Sequence, residues 1–390
     1  MSVVRAQTGR RWLIVGAAVA LLLALPAAIA AIPAKSAKVA LPVLSARIAA
    51  SARQPYQGYA VATGSIGLPS LPQLGDVTDL FNGETSLRIW YASVNRWRVD
   101  TIASSVAGAS ERDVYQTSSK QNNNKQDGRI QTIWDSAQNE FTTIVGNAPV
   151  RLPRGADLAP PDLARRLMAA ATETSSTQRS ALPARRVGGI SADGIRLRPT
   201  DPQTTVGQVD IWADPATGLP LEVDVTARGG RSPVLVSRML DVTMTAPSDA
   251  DTAVPVPTAA TGNVVTTNPD VLDALSNLGL GALPSTALAG LQRSDDELGA
   301  LSGIGAYGTG LRQIVAASIP GRSGFQAFRA AQDVGELVNF DDGMAVIVST
   351  PLLNVVIVRS FQQRGNFIVA GLVQTDVLKQ AAAELLRFYE

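Results

Sequence analysis

Between Tyr56 and about Thr245 the chain alternates apolar and polar residues one for one. Leu87, Ile89 and Tyr91 alternate with Arg88 and Trp90. Trp97, Val99 and Thr101 alternate with Arg96, Arg98 and Asp100. Leu221, Val223 and Val225 alternate with Glu222, Asp224 and Thr226. In the last such stretch Met239 and Asp241 read as one face, Leu240 and Val242 as the other. A period of two puts successive side chains on opposite sides of the backbone, so these segments read as half-buried antiparallel strands with one apolar face. Turn-forming residues separate them at 146–149, 214–220 and 228–231. The polar, Asn-rich stretch 118–128 reads as an exposed loop.

One segment breaks the pattern. After Pro160-Pro161-Asp162, the residues Leu163, Leu167 and Ala170/Ala171 recur at helical spacing. Proline at the start and an acid in the first turn favour a helix there. Residues 246–268 are rich in Pro, Thr, Ala and Asp without periodicity, and mark a linker. Beyond it come a short helix after Asn268, a strand at 312–320, a helix at 323–332 and β-branched strands at 344–350, 354–361 and 366–373. A final helix follows, with Thr375 as its cap. The fold class is α+β: a run of antiparallel strands covered on one face by helix over 52–245, then a smaller α+β domain over 269–390.

The N-terminus carries a separate signal. Arg5, Arg10 and Arg11 precede a charge-free run from Trp12 to about Ile32. At about 1.5 Å per residue that run is long enough to span a bilayer, and its basic flank keeps the N-terminus cytoplasmic. An uncleaved signal anchor over 1–33 and a long signal peptide cut near Ala28, Ala30 or Ala31 are both open; the length of the run favours the anchor. Residues 34–51 then read as a membrane-proximal linker. This places the protein in the cell membrane as a single-pass chain with an extracytoplasmic C-terminal region, or secreted if the signal is cleaved.

Composition narrows the chemistry. The chain has no His and no Cys. That excludes Ser-His-Asp and Cys-His catalysis, His- or Cys-ligated zinc, thiolate-held clusters and disulfides. Lys+Arg is 34 against Asp+Glu 33, which speaks against nucleic acid as partner. Asp341-Asp342-Gly343 reads as a hairpin turn, and Asp295-Asp296-Glu297 as a solvated helix start. Ser118-Ser119-Lys120 sits in a polar loop that would not desolvate the amine. The Gly-rich run 303–310 lacks the Lys-Ser/Thr of a phosphate loop. Arg88, Arg96 and Arg98 read as outward charge, with a basic strip for lipid head groups or an acidic partner as the alternative. Trp90, Trp97, Trp134 and Trp212 read as core or rim. A binding protein without cofactor is favoured over an enzyme, and a carboxylate hydrolase is the weakest reading.

Three stretches resemble known proteins. Residues 56–77 and 88–102 ("RIWYASVNRWRVDTI") resemble the opening strands of the bacterial lipoprotein-carrier (LolA-like) family, though Asn95 stands where proline is usual before Arg96. "IWADPATGLPLEVDV" (211–225) is similar to paired strands of that fold. "FIVAGLVQTDVLKQAAAEL" resembles the closing strand and helix of the RseB-like sigma-E regulatory family, which joins a carrier-like domain to a smaller C-terminal one. The resemblance implies an unclosed antiparallel β-barrel whose concave face is covered by helices. It also implies an extracytoplasmic protein of envelope lipoprotein trafficking or envelope-stress regulation, holding a lipid, acyl chain or lipidated peptide, with a membrane anti-sigma factor as a further partner. The alternation assigns Leu87, Ile89, Trp97, Val99, Val223 and Val225 to the inward face, under a helix carrying Leu163 and Leu167. A face filled as ordinary core, in a protein-interaction module without lipid, remains the alternative.

Overall fold

The structure, a computed structural model, describes residues 34–69, 75–103, 111–118, 129–135, 140–145, 153–173, 177–253, 263–266, 282–294, 303–319, 321–361 and 365–388. The expected helix after Asn268, the Asp295–Glu297 cluster and residues 119–128 lie outside them.

The N-terminal part is built on one large sheet. Its strands are β1 (Tyr56–Gly64), β2 (Glu84–Ser93), β3 (Arg96–Ala103), β4 (Glu111–Ser118), β5 (Arg129–Asp135), β6 (Glu140–Val145), β7 (Thr177–Val187), β8 (Ile190–Pro199), β9 (Val206–Ala213), β10 (Pro220–Ala227), β11 (Leu235–Thr243) and β12 (Asn263–Thr266). Among the described residues the order is β12-β6-β5-β4-β3-β2-β1-β11-β10-β9-β8-β7. β1 pairs antiparallel with both β2 and β11, which joins a β1–β6 meander to a β7–β11 meander. The two outer strands do not pair with each other, so the sheet curls without closing.

Helices cover one face. α1 (Leu41–Ala50), α2 (Gly75–Asn82) and α3 (Pro160–Glu173) flank or cross the sheet. The first of these corrects the linker reading of 34–51. Leu44, Ser45 and Ile48 of α1 are buried. The segment before it is pinned by Asp193, whose carboxylate accepts from Ala37 N at 3.1 Å and Val39 N at 3.2 Å. The 214–220 turn supplies the seat. Asp214 accepts from Ala216 N and Thr217 N, and Gly218 adopts φ +76° directly under α1. A Cβ on Gly218 would lie 2.4 Å from the Arg47 carbonyl carbon, so only glycine fits. A helix with Leu44, Ser45 and Ile48 on one buried face is packed structure, not tether.

The single-pass membrane localisation is corrected as well: among the described residues no helix is long and apolar enough to cross a membrane. The Trp12–Ile32 run on which that expectation rested lies outside them. The linker at 246–268 is not uniform either, since 263–266 forms β12, paired in parallel with β6.

Two further strands, β13 (Ala287–Leu288) and β14 (Leu291–Gln292), form a small hairpin. The C-terminal sheet comprises β15 (Ile304–Tyr307), β16 (Ile314–Ile319), β17 (Glu336–Phe340), β18 (Gly343–Val348), β19 (Asn354–Ser360) and β20 (Asn366–Gly371), in the order β15-β16-β20-β19-β18-β17. α4 (Gly321–Gln332) lays Phe328 and Ala331 on Val346, Val348 and Ile357. α5 (Thr375–Arg387) lays Leu378, Ala382 and Leu385 on the opposite face, against Ala345, Ile347 and Val356. Covering both faces explains why these strands are apolar at nearly every position. Asp341-Asp342 forms the two-residue turn of β17–β18, as the sequence indicates. The Gly-rich run 303–310 contains strand β15 and the turn that follows it. Thr375 is the first residue of α5 rather than its cap; Gln374 holds the cap position, without a side-chain bond.

The two sheets share a seam. Thr205 N donates to Leu372 O at 3.0 Å, Gln374 N donates to Gln203 O at 2.7 Å, and Thr204 and Val373 form an antiparallel bridge. Leu311, in a 3₁₀ turn at Gly310–Arg312, and Leu352 enter the core of the N-terminal sheet. Leu311 is 1% exposed, so Leu311→Ala should destabilise the chain by about 2–5 kcal/mol, read from urea unfolding. Leu337→Ala on the exposed edge strand β17, at 47% exposure, should stay within about 0.5 kcal/mol of the parent. Equal effects at the two positions would contradict the insertion.

Candidate functional site

The apolar face of the large sheet is assembled from register. Leu87 pairs with Ala60, and Ile89 with Val99; Tyr91 pairs with Trp97; Val223 pairs with both Ile211 and Ser237. Leu87, Ile89, Val99, Val223 and Val225 are buried in one core, and Trp97 is half-buried against it. All six strand positions therefore share a face, as the alternation indicates.

α3 crosses this face. Its entry is fixed by polar contacts: Arg154 N donates to Asp157 at 2.8 Å, Arg166 pairs with Asp157 at 2.7 Å, and the Ser237 hydroxyl donates to Leu158 O at 2.5 Å. Asp162 pairs with Arg165 in the first turn. Ala164, Met168 and Ala171 are the residues pressed on the sheet, while Leu163 and Leu167 are half-buried beside them. The expected helix positions are thus one step off: the buried stripe is Ala164, Met168 and Ala171, and the two leucines line its sides.

The core under α3 contains polar atoms. Tyr56 and Tyr91 stack with centroids 5.1 Å apart. The Tyr91 hydroxyl donates to Ala52 O at 2.7 Å, and burial pushes its pKa up to about 12. Tyr56 is fully buried, its pKa is pushed well above the usual value by burial first and by Asp162 next, and its hydroxyl makes no hydrogen bond. The buried hydroxyls of Ser45 and Thr101 likewise make none. Among the described residues no group of three or more carboxylates is placed to hold a metal ion.

The opposite face carries paired, largely buried charge. Asp100 and Glu222 alternate outward but are not solvated. Asp100 accepts from Arg98 Nε at 2.5 Å and Nη2 at 2.8 Å. Glu222 has no exposure and is paired with both Arg185 and Arg238. Asp224 lies 3.5 Å from Arg185, and Asp210 is gripped twice by Arg196. Arg185 reaches this cluster because β7 bulges between Leu182 and Arg185, and its guanidinium rests 3.8 Å from the Trp212 ring centroid. Sequence reasoning missed this network because strand pairing and register are not read from one strand's alternation: Arg238 stands opposite Glu222 and Arg196 opposite Asp210 on neighbouring strands, while Arg185 arrives from β7 through a bulge, which has no period to detect.

Further along the same face, Trp90 carries the guanidinium of Arg88 at 5.0 Å and that of Arg98 at 4.9 Å. A groove of about 370 Å³ opens there.

No protein-family model matches the sequence, and no curated protein matches it. Solved structures are similar. The Pseudomonas aeruginosa MucA/MucB complex is 16% identical over 87% of this chain and 95% of that one, with a TM-score of 0.41. MucB in complex with MucA(peri) is 14% identical over 88% and 97%, with a TM-score of 0.40. A LolA-superfamily protein from Nitrosomonas europaea is 12% identical over 55% and 98%, with a TM-score of 0.24. The fold itself, α+β with an unclosed antiparallel sheet and a smaller α+β domain, rests on the strand order and register above.

Asp224 gives the face a pH dependence. Burial raises its pKa to about 6, with Glu222 adding and Arg185 and Arg238 opposing. An unfolded Asp titrates near 3.9. Between the two values the folded chain keeps a proton that the unfolded chain has lost, so this group's contribution to stability falls as pH rises from about 4 through about 6. Asp224→Asn should remove that fall. In urea unfolding the variant should gain on the parent as pH rises, and be the more stable at pH 7. A difference that is constant with pH would refute the assignment.

Proposed function

We propose that this protein is a non-enzymatic, extracytoplasmic binding protein that holds an acyl chain or a lipidated peptide between the apolar face of its large sheet and α3. The observation that carries the reading is the convergence of Leu87, Ile89, Trp97, Val99, Val223 and Val225 under a helix flanked by Leu163 and Leu167. An acyl chain leaving water gains about 0.8 kcal/mol per buried CH₂, so an extended apolar face beneath a narrow helix is the chemistry it needs. α3 touches the sheet through Ala164, Met168 and Ala171, two small side chains and one flexible one that can repack when the helix shifts. The unpaired hydroxyls of Tyr56 and Thr101 supply polar atoms to a head group or an ester. The resemblance of the motifs extends the reading to envelope lipoprotein trafficking or envelope-stress regulation, with an anti-sigma factor as protein partner.

One observation favours a second reading. Leu87, Ile89 and Val223 are almost fully buried, so the face is already filled in this arrangement. On that basis the protein is an interaction module with a closed core and no lipid.

Binding of a fluorescent fatty acid separates the two. Charges at Val99 or Val223 would disrupt the core outright, so the informative positions are on the helix flanks. Leu163→Asp and Leu167→Asp should weaken binding at least about tenfold, the loss of one well-buried leucine contact. Thr63→Asp, exposed on the other face, should leave it unchanged. Wild-type protein that binds no fatty acid and releases no lipid on extraction would leave the filled-core module as the account.

A further inference from the structure

The polar face of the sheet carries a second candidate site. Trp90 on β2 is flanked by two guanidiniums, but the two differ in what answers their charge. Arg98 is bound twice by Asp100. Arg88 is exposed and makes no hydrogen bond or ion pair with any described residue; its described contact is the Trp90 ring. The groove beside it is lined by Gln57, Tyr59, Arg88, Trp90, Asp241 and Thr243. Tyr59 pairs with Arg88 on one side and Asp241 on the other, so the groove has a cationic wall and an anionic wall across one tyrosine.

The chain already places acid against this strip. The turn at 248–251 reads Ser-Asp-Ala-Asp. Asp249 pairs with Arg96, the neighbour of the groove on β3. Asp251 is ordered by Ser248, whose hydroxyl donates to it at 2.7 Å and whose backbone N–H does so at 2.9 Å. Those bonds lower the Asp251 pKa, and the charges of Arg98 and Arg88 lower it further. Two carboxylates of an irregular segment therefore sit in the field of all three arginines. The contact is easily exchanged: the Arg96 and Asp249 side chains are 43% and 88% exposed, and an exposed pair of this kind is weak.

We propose that the groove beside Arg88 and Trp90 is a docking site for an acidic, extended peptide segment of a partner protein, and that the turn at 248–251 occupies its rim in cis. The mixed lining selects a peptide over a simple anion. Arg88 takes a carboxylate of the segment. Asp241 accepts from its backbone N–H groups, and Gln57, Tyr59 and Thr243 offer donors and acceptors to its carbonyls and amides. A phosphodiester or an ionised fatty-acid head group has no donor to give Asp241 and is repelled by it. Trp90 supplies the ring against which the Arg88 and Arg98 guanidiniums rest, which holds Arg88 at the groove.

The test uses the full chain and a fluorescein-labelled peptide of residues 246–253, followed by fluorescence polarisation. The double variant D249N/D251N frees the rim and should bind the peptide roughly fivefold tighter than wild type, the effect of removing one exposed competing ion pair. Adding R88Q to that variant should lose this gain, and a peptide with Asn at both acidic positions should not bind. Arg88 is exposed and unpaired with carboxylate, so R88Q leaves the fold intact, which circular dichroism checks. Unchanged affinity in R88Q, or no gain in D249N/D251N, overturns the proposal. So does Arg88-dependent binding of phosphatidylglycerol vesicles by a protein that ignores the peptide, since that outcome makes the site a lipid head-group site.

Discussion

A large sheet with one apolar face must have that face covered, and most of this molecule follows from how the cover is arranged. Twelve described strands lie side by side without closing, so no strand completes the enclosure. The cover comes from α3 across the middle, from α1 seated on the 214–220 turn, and from Leu311 and Leu352 of the C-terminal domain. The pieces are held differently. α1 and the C-terminal domain are fixed by backbone hydrogen bonds and by a glycine that admits close approach. α3 rests on Ala164, Met168 and Ala171 and is tied at both ends, at the C-terminal one by Thr177, whose hydroxyl donates to Ala171 O at 2.6 Å. A ligand on the apolar face would have to displace α3, because α3 is the piece that crosses it.

The C-terminal domain is therefore a structural part of the first rather than an appendage. Its own core is complete, with helices on both faces of its sheet. Yet the seam at 203–205 and 372–374 continues main-chain pairing across the boundary, and two leucines are spent on the neighbour's core. A change at the seam is thus felt under α3, which gives a partner bound to either domain a physical route to the apolar face.

Strand existence and facing were legible because a half-buried strand writes its burial into every second residue. The same rule failed where the backbone departs from it. Met239 and Asp241 read as one face, but the β1–β11 pairing shifts between Tyr59 and Ala60, and the bulge turns Met239 into the core and leaves Asp241 outside. Alternation puts Glu222 and Asp100 on the face opposite the core, but it reports which side a residue faces, not what lies over that side. Asp100 is covered by Arg98 of its own strand, and Glu222 by Arg238 of the adjacent strand and by Arg185, which arrives through a bulge. α1 was illegible for a related reason: Leu41, Leu44 and Ile48 give only a short apolar stripe, and the Gly218 turn on which the helix sits is remote in sequence. The inward residues of the candidate site were legible almost completely on the strands and only approximately on α3, where leucine is the more conspicuous residue and alanine the better packed one.

The two faces of the sheet are chemically independent, and the reason is geometric. Side chains on neighbouring positions of β2 are separated by the sheet itself, so Ile89 belongs to the apolar core while Arg88 and Trp90 belong to the polar groove. A ligand under α3 and a segment on Arg88 would occupy opposite ends of the same backbone bonds without touching. Coupling between them would run through β1 and β11, where one bulge sets both the position of Met239 beneath α3 and that of Asp241 in the groove wall. A displacement of that bulge moves both residues at once, because an inserted residue cannot be shifted on one face of a strand alone.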